Sequence, residues 1–271
     1  MRLLKDILYK AGIEEVAGST ELNVIDICFD SRAAREGGLF VAVRGLQSDG
    51  HNYISSVIER GVVAIVCEQF PEDLINGITY IRVNDSALAL SIISSNYFGN
   101  PSENLKLIGV TGTNGKTTTA TLLFQLFRKL GYSAGLLSTV RNQINEQVIP
   151  ATHTTPDPIQ LNGILSAMVD AGCSHAFMEV SSHSVVQKRI AGLVFAGGVF
   201  TNLTHDHLDY HKTFENYLKA KKEFFDHLPS EAFALTNLDD KNGAVMLQNT
   251  KAKKYTYGLR SVADYRCKLI E

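Results

Sequence analysis

One passage restricts this chain more than any other. Leu105-Lys106-Leu107-Ile108-Gly109-Val110 is an apolar, strand-sized run that leads straight into Thr111-Gly112-Thr113-Asn114-Gly115-Lys116-Thr117-Thr118. Beyond it, Leu122, Leu123, Leu126, Phe127 and Leu130 recur at helical spacing, and Gly131 is a helix stop. The spacing places these five on one face of that helix. A buried strand, a glycine turn ending in Lys-Thr and a helix make the arrangement of a phosphate loop. Glycines let backbone N–H groups converge on phosphate oxygens, and the helix N-terminus adds partial positive charge. Lys116 would reach the β and γ phosphates, and the Thr117 hydroxyl would ligate magnesium. The strict spacing GxxxxGK(S/T) is not met, because Val110 stands at the first glycine position. A plain strand-to-helix turn could also contain Lys-Thr, but the flanking elements decide for a nucleotide site.

Apolar runs and helical stretches alternate through the rest. Strands are expected at Val24–Phe29, Leu39–Val43, Val62–Cys67 and Tyr80–Val83, then at Leu105–Val110, Ser133–Leu137, His175–Val180, Ala196–Thr201 and Ala232–Thr236. Such alternation predicts α/β layers with a largely parallel sheet. Phe98-Gly99-Asn100-Pro101-Ser102-Glu103-Asn104 reads as a linker, which predicts one domain over 1–102 and a second over 103–271. With 28 acidic and 26 basic side chains, the chain lacks the basic balance of a dedicated nucleic-acid binder. Its apolar runs fall far short of the roughly 20 residues that span a bilayer. No secretory signal is visible, and four scattered cysteines without a CxxC pair fit a reducing cytoplasm. Asn202-Leu203-Thr204 matches a glycosylation acceptor, a match without weight in that compartment.

Further segments carry candidate chemistry. Glu179 in Met178-Glu179-Val180-Ser181-Ser182-His183 ends a strand, where open parallel sheets place ligands, although it could be a solvated carboxylate. Gln187 and Arg189 follow on what reads as a helix. Thr201 to His211 (TNLTHDHLDYH) holds three histidines and two aspartates within seven residues, which suggests metal work. Zinc is one reading, but no cysteine is near and the spacing fits no common helical zinc pair. His205 and His211 also read as loop-surface residues. Lys221 stands on the apolar stripe of Phe214, Tyr217, Leu218, Phe224, Phe225 and Leu228, whereas Lys219, Lys222 and Glu223 fall on other faces. Burial would lower its pKa and let the neutral amine form a carbamate with carbon dioxide. The alternative is snorkelling, with the ammonium in water. His153-Thr154-Thr155-Pro156-Asp157 precedes a helix for which Asp157 is an N-cap and Pro158 a first-turn residue. Asn237 ends a strand, and Asp49-Gly50 is turn chemistry.

Gly112-Thr113-Asn114-Gly115-Lys116-Thr117 resembles the ATP loop of the Mur ligases, ATP-dependent amide-forming enzymes of peptidoglycan precursor synthesis. The segment around DHLDYH and Tyr217-Leu218-Lys219-Ala220-Lys221 resembles the family's metal-site segments. Asp30-Ser31-Arg32, Gly38 to Gly45 and Asp49-Gly50-His51 resemble the N-terminal domain of members that act on UDP-N-acetylmuramoyl-L-alanyl-D-glutamate. The likeness covers essentially the whole chain in family order. It implies an N-terminal α/β UDP-substrate domain followed by an incomplete P-loop domain. It further implies that Gly112, Thr113, Asn114, Gly115, Lys116, Thr117, Thr118 and, near the adenine, Asn237 bind ATP. Thr117, Glu179, His207 and carbamylated Lys221 would hold two magnesium ions, and Lys116, Lys221, Glu179 and His207 would be the catalytic set. An imidazole is a less usual partner for so hard an ion. Ser31, Leu46, Gln47, Ser48, His153, Thr154, Thr155, Ser181, Gln187 and Arg189 would bind the UDP-muramoyl substrate; some members have Asn at the position of His153.

The activity so implied is phosphorylation of the D-glutamate side-chain carboxylate, followed by attack of an amino acid's amine on the acyl phosphate. Lysine and meso-diaminopimelate are both open as that amino acid. The family continues with a third domain, and Asp264 to Glu271 reads as a strand with no turn or partner, so a truncated, largely inactive chain is expected. A non-catalytic nucleotide-sugar-binding module and a folylpolyglutamate synthase-like ligase are the rival readings. The DSR…LFVA segment argues against the latter.

Overall fold

A computed structural model describes residues 1–45, 48–151, 153–204, 206 and 208–267, with the backbone alone at Leu208. The chain forms two compact units. One comprises Met1–Asn100 with Asp157–Gly163 and Lys188–Gly192; the other comprises Pro101–Pro156, Ile164–Gln187 and Leu193–Glu271.

In the first unit, five strands lie in the order Ile13–Ala17, Thr79–Val83, Ala64–Cys67, Gly38–Val41, Asp26–Cys28. All neighbours are parallel except the first pair. Gly38–Val41 and Ala64–Cys67 are buried throughout, as strands covered on both faces must be. Alternate residues feed two cores. Leu39, Val41, Ala64, Val66 and Ile81 pack with Leu4, Ile7, Leu90 and Ile93, while Phe40, Ile65, Cys67 and Tyr80 pack with Ile54 and Val57. The expected strand Val24–Phe29 is broken at exposed Ile25. Asn23–Val24 pairs instead with Arg2–Leu3, and Asp26–Cys28 joins the main sheet. Asp157 does cap the helix Pro158–Asp170, its carboxylate accepting from Ile159 N at 2.9 Å and Gln160 N at 3.0 Å.

In the second unit, nine strands among the described residues run in the order Gln147–Pro150, Arg141–Ile144, Ala134–Leu137, His175–Glu179, Lys106–Thr111, Gly197–Phe200, Phe233–Asn237, Lys253–Gly258, Tyr265–Arg266. Only the pairings of Arg141–Ile144 are antiparallel. Lys106–Thr111 is central, flanked by His175–Glu179 and Gly197–Phe200. Its Ile108 and Val110 face a core with Ala120, Phe124, Leu136, Phe177 and Val199. On the other face Gly109 and Gly198 leave room for Phe224 of the helix Phe214–Asp226. Tyr265–Arg266 pairs with Lys253–Gly258, so that segment has a partner where none was expected. Cys28, Cys67 and Cys173 are buried free thiols, as their apolar segments imply, and Cys267 is exposed. No helix among the described residues is long and apolar enough to cross a membrane.

The helix Lys116–Lys129 buries only part of its apolar face. Its buried residues are Ala120 and Phe124, supported by half-buried Leu123 and Phe127. Leu122, Leu126 and Leu130 are 58%, 50% and 62% exposed. The apolar sector is wider than the contact it makes, and the sheet takes the edge where Ala120 allows close approach.

Candidate functional site: a phosphate loop between two buried ionisable groups

The site lies in the second unit, at the carboxyl end of the central strand. Gly112 follows that strand with φ +153°, and a Cβ there would collide with Thr201 Oγ1 and meet Asn202 O at 3.0 Å. Gly115, with φ +82°, is the left-handed N-cap of the helix that opens with Lys116 and Thr117. Only glycine takes both conformations without cost. The loop is pinned from the strand beside it. Thr113 N donates to Asn202 O at 2.8 Å, and Asn114 N donates to Asn202 Oδ1 at 3.0 Å. Thr201 Oγ1 and Asn202 Nδ2 both donate to Asn114 O, at 2.7 and 3.1 Å. Thr113 Oγ1 accepts from Thr204 N at 3.0 Å and lies 3.2 Å from the Tyr217 hydroxyl. Asn237, at the end of the next strand, donates to Thr201 O at 2.9 Å. Thr118 is exposed in the first turn of the helix.

Two amines converge on this loop. Lys116 Nζ donates to Gly112 O at 3.0 Å and to Thr113 O at 2.8 Å. Lys221 Nζ donates to the same Gly112 O at 2.9 Å and lies 4.6 Å from the Tyr217 ring centroid. Lys221 is 1% exposed, so its ammonium end does not snorkel to water. Helix and strand geometry explain the reach. Phe224 packs over Gly109, and Lys221 stands three residues earlier beside Gly112, three residues later. Three strand residues rise about 10 Å and three helical ones about 4.5 Å, a difference the long lysine stem spans. Burial pushes the Lys221 amine down to about 7, helped by the positive charge of Lys116, while Asp206 opposes. Burial also lowers Lys116, against the pull of Glu179 and Asp206.

Glu179 ends the neighbouring strand and is 1% exposed, so it is not a solvated strand-end carboxylate. It accepts from Thr139 N at 2.7 Å and from Thr139 Oγ1 at 3.2 Å. Thr155 Oγ1 donates to Glu179 O at 2.9 Å and accepts from Ser181 N at 3.3 Å. Ser181 in turn caps the helix Ser182–Val186, accepting from Ser184 N at 3.1 Å. Thr154 Oγ1 lies 3.0 Å from Thr139 Oγ1, and His153 is exposed beside it in the chain. That short helix ends before Gln187, with Lys188 at φ 57°, so Gln187 and Arg189 stand in the turn beyond it rather than on it. Gln187 Nε2 donates to the Tyr210 hydroxyl at 3.2 Å. His211 is not on the loop surface: it is 5% exposed, with Nε2 2.8 Å from Ser182 Oγ and its ring against Tyr217.

The structure therefore brings together Lys116, Lys221, Glu179, Thr154, Thr155, Ser181 and the loop from Gly112 to Thr117. Arg189, Ser31 and Ser48 belong to the first unit. There Ser31 opens a short turn capped by Asp30, which accepts from Arg32 N at 2.9 Å. The Ser48 carbonyl accepts from Gly45 N at 2.9 Å. Leu46, Gln47, His205 and His207 lie outside the described residues, and among the described residues no cluster of three or more histidine, cysteine or acidic side chains could hold a metal. Sequence reasoning missed Thr139, Asn202 and Tyr217 as parts of the site. Thr139 and Asn202 are separated from their partners by tens of residues, and only the strand order joins them.

A parallel sheet with a glycine loop at the carboxyl end of its central strand, lysine next and helix following, defines a phosphate-loop protein of the α/β class. The chain belongs to the Mur ligase family. The family model described as the Mur ligase middle domain matches residues 110–271, and that described as the Mur ligase family catalytic domain matches residues 23–98. A UDP-N-acetylmuramoyl-L-alanyl-D-glutamate–2,6-diaminopimelate ligase of Cytophaga hutchinsonii is 60% identical over 98% of this chain and 55% of its own length. The enzyme of the same name from Phocaeicola vulgatus is 59% identical over 99% and 55%. A solved ligase of that name superposes with a TM-score of 0.83 at 26% identity, over 98% of this chain and 54% of its own. The fold alone is shared with a MurF ligase from Thermotoga maritima in complex with ADP, at TM-score 0.58, 23% identity and 87% and 51% coverage. The chain spans about half the length of the curated relatives it matches.

Proposed function

We propose that this chain carries the nucleotide- and UDP-muramoyl-substrate-binding parts of a cytoplasmic ATP-dependent ligase. The reaction is addition of the third amino acid to UDP-N-acetylmuramoyl-L-alanyl-D-glutamate. The observation that carries this reading is the pair of amines, Lys221 buried and Lys116 half-buried, on one carbonyl oxygen, that of Gly112. The Lys116 ammonium stands at the mouth of a loop whose glycines and helix N-terminus suit phosphates, and the Lys221 amine beside it shares its acceptor. The name of relatives about 60% identical supports 2,6-diaminopimelate over lysine as the amino acid.

In this reading residues 103–271 take the ATP and residues 1–102 take the UDP end of the substrate. Backbone N–H groups from Gly115 to Thr118 receive the phosphates, and Lys116 exchanges its two carbonyl acceptors for them. Asn237 borders the adenine. The donor set fits magnesium: a buried carboxylate at Glu179, a hydroxyl at Thr117, and at Lys221 an amine whose pKa of about 7 leaves it largely neutral in mildly alkaline water and able to become a carbamate. His207 completes the proposed set. Magnesium, when bound, offsets charge developing on the transferred phosphoryl group. Ser31, Leu46, Gln47, Ser48, His153, Thr154, Thr155, Ser181, Gln187 and Arg189 are the proposed contacts of the UDP-muramoyl dipeptide. Titration calorimetry with a non-hydrolysable ATP analogue and magnesium tests the nucleotide half. The chain binds the analogue, and Lys116→Met weakens it by roughly tenfold or more, about 1.4 kcal/mol. Absence of binding by the unaltered chain would refute the reading.

A further inference from the structure

We infer that Thr139 is a positioning residue: with one N–H and one hydroxyl it sets both the Glu179 carboxylate and the Thr154 hydroxyl, joining the proposed metal side of the site to its proposed muramoyl-peptide side. The inference rests on the function proposed above. Thr139 follows the strand Ala134–Leu137, in a turn held by its neighbour. Ser138 Oγ donates to Arg141 O at 2.7 Å and accepts from Arg141 N at 3.3 Å. The backbone at Thr139 is thus braced without help from its own side chain. From that brace Thr139 N reaches Glu179 Oε1 at 2.7 Å, and Thr139 Oγ1 lies 3.2 Å from Oε2. One residue engages both carboxylate oxygens.

The same hydroxyl lies 3.0 Å from Thr154 Oγ1. A carboxylate only accepts, and a hydroxyl has a single proton to give. The Thr139 proton is therefore shared between two acceptors, Thr154 Oγ1 and Glu179 Oε2. Thr139 is the common donor that links Thr154 to Glu179. Thr155, the next residue, holds the Glu179 backbone carbonyl at 2.9 Å. Two consecutive threonines thus grip the strand end, one at its backbone and the other, through Thr139, at its side chain. Glu179 is 1% exposed, so water does not readily replace a lost hydroxyl. Thr139 itself is exposed, so valine there removes the hydroxyl without opening the core.

The test uses the whole chain and two ligands. UDP-N-acetylmuramoyl-L-alanyl-D-glutamate is titrated by calorimetry, and manganese is followed by electron paramagnetic resonance with the ATP analogue present. Thr139→Val weakens both by roughly threefold to tenfold, the worth of one such hydrogen bond. Thr139→Ser restores both to within about twofold, which a role in packing would not explain. Thr139→Val added to Thr154→Val weakens the UDP ligand little beyond Thr154→Val alone, because neighbours in one chain are not additive. Thr139→Ala gives the same losses and stands in if the valine variant melts early. Unchanged affinities in the valine or alanine variant, no rescue by serine, or additive losses would each overturn the inference. If the unaltered chain binds neither ligand, the proposed function falls and this inference with it, a result distinct from unchanged variants.

Discussion

Lys221 is the residue on which most of the proposed chemistry turns. Its place on an apolar stripe is legible from helical period alone, and burial follows. What the period does not supply is the acceptor, Gly112 O, which comes from a strand more than a hundred residues earlier. The sign of its titration is fixed by burial. With the amine lowered to about 7 from 10.5, the folded chain gives up this proton near pH 7 while the unfolded chain holds it to about pH 10.5. The unfolded state binds more protons in that window, so in carbonate-free buffer stability rises with pH between those values. Denaturant titrations at pH 7 and 9 check this: the unaltered chain gains over Lys221→Met as pH rises. The neutral amine is also the reactive one. Carbon-13 bicarbonate gives a carbamate resonance at pH 8.5 that weakens at pH 6 and is missing from Lys221→Met. Glu179 was legible in the same partial way, as a strand-end carboxylate. Thr139 was not, because a lone threonine after a strand carries no local signal of the carboxylate it meets.

At the scale of elements, the strand, loop and helix around Gly112 predict a sharp sterical requirement. Gly112→Ala drives a methyl group into Thr201 and forces the loop off Asn202, so binding of the ATP analogue falls by roughly tenfold or more while the sheet persists. Calorimetry with a far-ultraviolet circular dichroism control measures both. The helix that follows shows where periodicity misleads. Leu122, Leu126 and Leu130 form a row as regular as any buried stripe, yet Ala120 and Phe124 face the core. Phe124→Ala should cost about 3–5 kcal/mol in denaturant unfolding, against about 0.5 kcal/mol or less for Leu122→Ala. Equal costs would place Leu122 in the core with Phe124. The parallel strands were legible because buried runs of Val, Ile and Leu are continuous. The hairpin Arg141–Ile144 and Gln147–Pro150 was not, since Arg141-Asn142-Gln143 has no apolar alternation and its order comes from pairing with Ala134–Leu137.

For the whole molecule, the order of the motifs along the chain was more informative than any one of them, since loop, strand-end glutamate and buried lysine have to recur in one sequence to build one site. Charge balance and length stayed silent on substrate. The two units carry different parts of the proposal, which assigns the choice of substrate class to the first unit. The most direct measurement is therefore a competition by titration calorimetry between UDP-N-acetylmuramoyl-L-alanyl-D-glutamate and a folate, each with the ATP analogue and magnesium present. Saturable binding of the UDP-sugar peptide and none of the folate is the predicted result; preference for the folate, or indifference between the two, would contradict the account.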